Sequence, residues 1–199
     1  MIAKIAVIGS GFVGEELIKA FTAKGYDVRL ASRDPQGENA QRLASQYDLM
    51  TLTLAEAIAW ADLLTLAIPG SAVRETVSAI PDWQNKIVID ATNHFGGGSA
   101  SEAAEFAHNA RVVKALNTIG AELYSRPDFD GIKATMFYCG DHEDAKAQVQ
   151  TLIETLGFEP LDVGPINNAE LIAPLVRLWV TLSRTSLGRE IAFKLLRRT

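Results

Sequence analysis

The chain has 199 residues, 24 acidic side chains against 19 basic ones, and a formal net charge of −5. That balance excludes nucleic acid as the main partner, and 21.5 kDa is enough chain to bury about 70% of its extended surface without a metal or disulfide. The lone cysteine, Cys139, has no intrachain partner and suits a reducing compartment.

Met1 to Ile5 reads as strand from the outset, with no signal-peptide layout. No apolar run reaches bilayer length, so the expectation is a soluble, cytoplasmic chain with no membrane partner. Ile2 to Ile8 is apolar except for Lys4, as in a parallel strand covered on both faces. Gly9-Ser10-Gly11-Phe12-Val13-Gly14 follows with G-x-G-x-x-G spacing and leads into a helix from Glu15 to Lys24. Each glycine has a task. Gly9 allows a tight turn, Gly11 lets a pyrophosphate approach the backbone, and Gly14 packs the helix on the strand.

Asp27–Ala31 is the second strand, followed by a helix over Glu38–Gln46, a short strand near Met50–Leu52 and a helix over Leu54–Trp60. Leu63–Ile68 is a buried strand stopped by Pro69-Gly70; Ser71–Ala79 is helical and Lys86–Ala91 is the next strand. The loop from Thr92 to Ser99 leads to a helix over Ala100–Ala107 and a sixth strand, Arg111–Leu116. Strands at Ala134–Cys139 and Glu159–Val163 flank a helix from Glu143 to Leu156. Two helices, Asn168–Leu182 and Leu187–Arg197, are expected to close the chain. The alternation predicts an α/β, Rossmann-type doubly wound, mainly parallel sheet over residues 1–165, with a helical segment over 166–199 for packing or homodimerisation.

The second strand ends Leu30-Ala31-Ser32-Arg33-Asp34, where NAD sites usually carry an acidic residue for the ribose. A hydroxyl and a guanidinium there suit a 2′-phosphate, so Ser32 and Arg33 predict NADP(H). The other reading leaves Arg33 a solvated charge. Ligands of such sheets bind beyond the strands' carboxyl ends, which selects Ile68-Pro69, Asn93-His94-Phe95 and Asn117-Thr118. Pro69 either lines a nicotinamide site or simply ends its strand. His94 is the candidate general acid, or else a hydrogen-bonded loop residue. No Tyr-x-x-x-Lys pair, Gly-x-Ser-x-Gly elbow or metal-ligand spacing occurs in the sequence. Hydride transfer between two bound rings requires mainly alignment, which agrees with that lack of an acid–base set.

Together these residues resemble the NADPH:deazaflavin oxidoreductases, which exchange hydride between NADP(H) and coenzyme F-420. The resemblance rests on Ile8–Gly14, Ala31-Ser32-Arg33, Ile68-Pro69 and Val112–Ile119. It extends to Cys139-Gly140-Asp141, Leu161–Pro165 and the closing Leu187–Leu196. It implies a dinucleotide fold, a dimer through the C-terminal helices, and a second redox ring against the nicotinamide. By position, Gly9 to Gly14 would hold pyrophosphate and Ser32 and Arg33 the 2′-phosphate. Ile68 and Pro69 would line the nicotinamide side, and Asn117 and Thr118 would lie by the second substrate. Read from the residues themselves, His94 and Asn117 are the candidate catalytic residues. The segment Asn93–Gly98 is shorter and more polar than the resemblance implies. Related domains of membrane metalloreductases use a flavin, so FMN or FAD stands beside coenzyme F-420 as the small-molecule acceptor. Two other functions fit the sequence: an NADP-binding redox sensor without turnover, and an NADPH-dependent carbonyl or imine reductase.

Overall fold

A computed structural model describes residues 2–198. In chain order the elements are β1 (Lys4–Ile8), α1 (Phe12–Ala23), β2 (Asp27–Ala31), α2 (Glu38–Tyr47), β3 (Thr51–Leu52), α3 (Leu54–Trp60) and β4 (Leu63–Leu66). Then come α4 (Val73–Ser78), β5 (Ile87–Asp90), α5 (Glu102–Phe106), β6 (Arg111–Lys114), and a hairpin of β7 (Asp128–Phe129) and β8 (Ile132–Lys133). The last are β9 (Thr135–Gly140), α6 (Glu143–Leu156), β10 (Glu159–Asp162) and α7 (Ala169–Ser183).

The apolar runs of β1, β4 and β5 form strands because helices cover both faces of the sheet. Side chains alternate along β1: Ile5 and Val7 join Leu17, Phe21 and Leu152 in one core layer. Ala6 and Ile8 join Ile58 and Val77 in the other. The eight-stranded order is β10-β9-β6-β5-β4-β1-β2-β3. β1 pairs in parallel with both β2 and β4, so the chain winds outward in both directions from it. That reversal opens a crevice at the carboxyl ends of β1 and β4. Among the described residues, the one antiparallel pairing in this sheet joins β6 to β9, so the mainly parallel doubly wound sheet expected from the sequence is observed.

The closing region departs from expectation. α7 forms as the periodicity predicts, but Leu187–Arg197 is not a helix. The chain turns at Thr185–Gly188, where Gly188 has φ +67. The tail's carbonyls then bond outward: Ile191 O accepts from the Trp179 indole at 2.8 Å and Phe193 O accepts from Thr135 N at 2.9 Å. Carbonyls used this way are withdrawn from an i to i+4 ladder, so the apolar residues Leu187, Ile191 and Leu195 do not form a helical face.

Cys139 is fully buried in β9, and burial pushes its thiol up to about 12. A thiol reagent at pH 8 is therefore expected to leave the native protein unlabelled and to label it fully once unfolded. Native labelling at the unfolded rate would contradict this placement.

Candidate functional site

The glycine turn follows β1 directly. Gly9 has φ +122, and a Cβ there would meet Ala67 O at 2.4 Å; one on Gly14 would meet Gly9 O at 2.0 Å. These two contacts draw α1 onto β1 and β4. Gly11 differs: a Cβ added to it meets nothing within 4 Å. Its missing side chain leaves open space at the start of α1, which no side chain caps. Unpartnered first-turn amides facing open space form an anion cradle. The residues present thus fit a pyrophosphate.

Three hollows run across the sheet's carboxyl edge and share walls. The first, about 310 Å³, lies between Ser10-Gly11, Ser32-Arg33 and Pro69. Ser32 N is fixed by Leu52 O at 3.0 Å, and Ser32 Oγ accepts from Asp34 N at 3.2 Å. The Arg33 side chain is 76% exposed, with only a 3.9 Å contact to Glu75, and is free to meet a ligand anion. The second hollow, about 540 Å³, runs past Phe12 and Ile68-Pro69 to Asn93 and Phe95. Gly70 lets the β4 and β5 loops converge here, since a Cβ on it would meet Asn93 O at 2.4 Å. Phe12 and Phe95 are both exposed and offer aromatic faces at its rim. The third, about 200 Å³, continues past Asn117 to Tyr124, Trp179 and Arg189.

Of the residues expected from the sequence, Gly9 to Val13, Ser32, Arg33, Ile68, Pro69 and Asn117 line this trough. Gly14 sits behind it, buried in the α1 contact. Thr118 is buried and directs its hydroxyl to Met136 Sδ at 3.6 Å. His94 does not line the trough. Its side chain, 5% exposed, is folded beneath the loop, with Nδ1 3.9 Å from Glu102 Oε2. Asn93 and Phe95 face the ligand space instead, so proton donation directly from His94 has no support in the geometry.

Asn117 owes its position to a strained neighbour. Leu116 has φ +61, an uncommon conformation for a bulky residue and one associated with functional sites. Tyr124 donates its hydroxyl to Leu116 O and so locks the turn. Burial pushes the Tyr124 phenol up, which keeps that proton in place. Beneath the trough, Lys114 and Asp90 pair at 3.0 Å, 2% and 1% exposed. Lys114 also donates to Thr92 O at 2.7 Å, and Asp90 Oδ1 accepts from Thr92 N at 2.9 Å and from Thr92 Oγ1 at 2.6 Å. This pair anchors the loop carrying Asn93.

Residues 4–94 match the family model described as coenzyme F-420-dependent NADP oxidoreductase. Rat metalloreductase STEAP3 is 27% identical across 96% of this chain, which spans only 40% of that relative's length. A crystal structure from Arthrobacter sp. FB24, described as a candidate F-420-dependent NADP reductase, superposes with a TM-score of 0.87. It is 26% identical and covers 99% of this chain and all of its own. A hypothetical protein from Sinorhizobium meliloti is 30% identical with a TM-score of 0.71, over 83% of this chain and 86% of its own. The glycine cradle, the Ser32-Arg33 strand end and these matches agree: residues 4–94 match the coenzyme F-420-dependent NADP oxidoreductases, and the chain as a whole shares the fold of a structure described in those terms.

Proposed function

We propose that this chain binds NADP(H) and exchanges hydride with a planar redox molecule, coenzyme F-420 or a flavin. The observation that carries the reading is the trough itself, in which the pyrophosphate cradle, an exposed arginine and an aromatic-rimmed hollow share walls. NADP(H), when bound, supplies or accepts the hydride. The protein's part is arrangement. Gly11 and the start of α1 hold the pyrophosphate, while Ser32 and Arg33 pair with the 2′-phosphate. Ile68, Pro69 and Phe12 wall the reacting edge, and Phe95, Trp179 and Asn117 border the partner ring. Such a site accelerates transfer by holding two rings in register and excluding water.

Residues 1–165 would then carry the dinucleotide, and 166–199 would complete the partner's side through Trp179 and Arg189. Leu171 and Leu178 on α7 are exposed, with Leu187, Leu195 and Leu196, an apolar surface that suits a homodimer. Light scattering at micromolar concentration tests it, and a monomer mass would overturn it. Among the described residues no helix is long and apolar enough to cross a membrane.

Steady-state assays with NADPH against coenzyme F-420, FMN and FAD test the function. Sustained oxidation with at least one is expected; none with any of them sinks the reading. Cofactor choice is tested by Arg33→Ala, which is expected to weaken NADPH binding by about 1.5 kcal/mol, roughly ten-fold, with NADH binding unchanged in titrations. Equal loss for both nucleotides would remove Arg33 from phosphate recognition.

A further inference from the structure

A fourth hollow lies beneath the trough, about 20 Å³ in volume, with His94, Lys114 and Asn117 among its walls. Two atoms of these walls are orphaned. His94 Nε2 and Asn117 Oδ1 are buried without a hydrogen-bond partner, and Asn117 is only 3% exposed. Lys114, the third wall, uses two of its ammonium protons on Asp90 and Thr92 O and has one more to give. His94 Nδ1 faces the Glu102 carboxylate, which favours the proton on Nδ1 and leaves Nε2 an acceptor. Among these three side chains there are therefore two acceptors in want of a donor and one donor in want of an acceptor; Glu170 and Arg177 also line the hollow.

A single water satisfies all three. It needs roughly 10–15 Å³ and two to four polar partners, and the hollow offers both. Its consequence reaches the trough. With Asn117 Oδ1 taken by the water, Asn117 Nδ2 donates to Asn93 Oδ1, at 3.2 Å. Asn93 Nδ2 has no protein partner among the described residues, and Asn93 lines the trough as well as the small hollow, so this amide can donate into the ligand space. The reversed Asn117 amide would place its N–H₂ group in the same hollow as the Lys114 ammonium and set its oxygen against Asn93 Oδ1.

We propose that this hollow is a one-water site, and that its water orients the Asn117 and Asn93 amides. Asn93 thereby presents hydrogen-bond donors to a ring carbonyl or ring nitrogen of the redox partner. Asn117 and His94 are positioning residues in this scheme. The clause about the partner ring rests on the redox reading above; the water and the amide polarity do not.

The test uses the full chain. Long-range ¹⁵N spectra without cofactor read the His94 tautomer, assigned by signal loss in His94→Gln. FMN binding to NADP⁺-saturated protein is then compared for wild type, Asn93→Leu and Asn93→Gln. An Nδ1–H tautomer with bare Nε2 is expected, with FMN binding weakened about ten-fold by Asn93→Leu and largely retained by Asn93→Gln. An Nε2–H tautomer, or wild-type FMN affinity in Asn93→Leu, overturns the inference. Wild-type protein that binds NADP⁺ but no FMN counts against a flavin partner, and the tautomer then decides whether His94 Nε2 is the acceptor the water site requires. Failure to bind NADP⁺ sinks the functional reading without touching the tautomer.

Discussion

Gly11→Ala is expected to fold as well as the natural protein and yet to lose its grip on the dinucleotide. Gly11 sits at φ −84 and ψ −176, extended backbone that alanine adopts freely, and the added methyl meets no protein atom. Its one effect on folding is to restrict the unfolded chain, worth about 0.4–1 kcal/mol in favour of stability. The methyl does, however, occupy the space in which a pyrophosphate would touch the backbone. Binding should fall by about 1–3 kcal/mol, roughly five- to 150-fold. Gly14→Ala should behave oppositely. Its methyl would stand 2.0 Å from Gly9 O, so α1 must move off the strand, at a cost of about 3 kcal/mol. Thermal melts with NADPH titrations separate the two. A Gly11→Ala protein that melts early, or one that binds normally, contradicts the cradle.

Lys114→Met is expected to be the most destabilising single change in the site. It strands the Asp90 carboxylate, 1% exposed, without its counter-charge. Breaking one half of a buried pair costs about 3–5 kcal/mol, because the remaining charge keeps its desolvation penalty. For a domain of this size the melting temperature should fall by about 10 °C. Adding Asp90→Asn removes the stranded charge and should recover part of the loss. Urea unfolding of both variants decides it: a double variant no more stable than the single one would mean the cost arises from packing.

The parts of the site legible in the sequence are those that depend on neighbours along the chain. The glycine turn and Ser32-Arg33 follow directly from the ends of β1 and β2, and strand ends are fixed by local patterning. What depended on folding back was harder to see. His94 and Phe95 look equivalent on a polar loop; only the approach of Glu102 beneath that loop tells which turns inward. The Asp90–Lys114 pair was within reach, since the two residues are direct register partners at matching ends of β5 and β6. The hairpin of β7 and β8 had a signal too, Asp130-Gly131, both with positive φ, the dipeptide that tight hairpin turns favour. The tail's conformation is dictated by Trp179, Thr135 and Glu122, contacts made by folding back that no local pattern announces.

Arg33 stands apart from everything that holds the fold together. Its side chain is mostly solvated and its one charged neighbour is distant, whereas the turn beside it is locked into two core layers. If Arg33 selects the nucleotide as proposed, selectivity and foldability reside in different residues. A laboratory library at position 33, leaving the Ser32 and Asp34 side chains that brace the turn in place, would then be expected to retune which nucleotide is preferred while the scaffold stays intact.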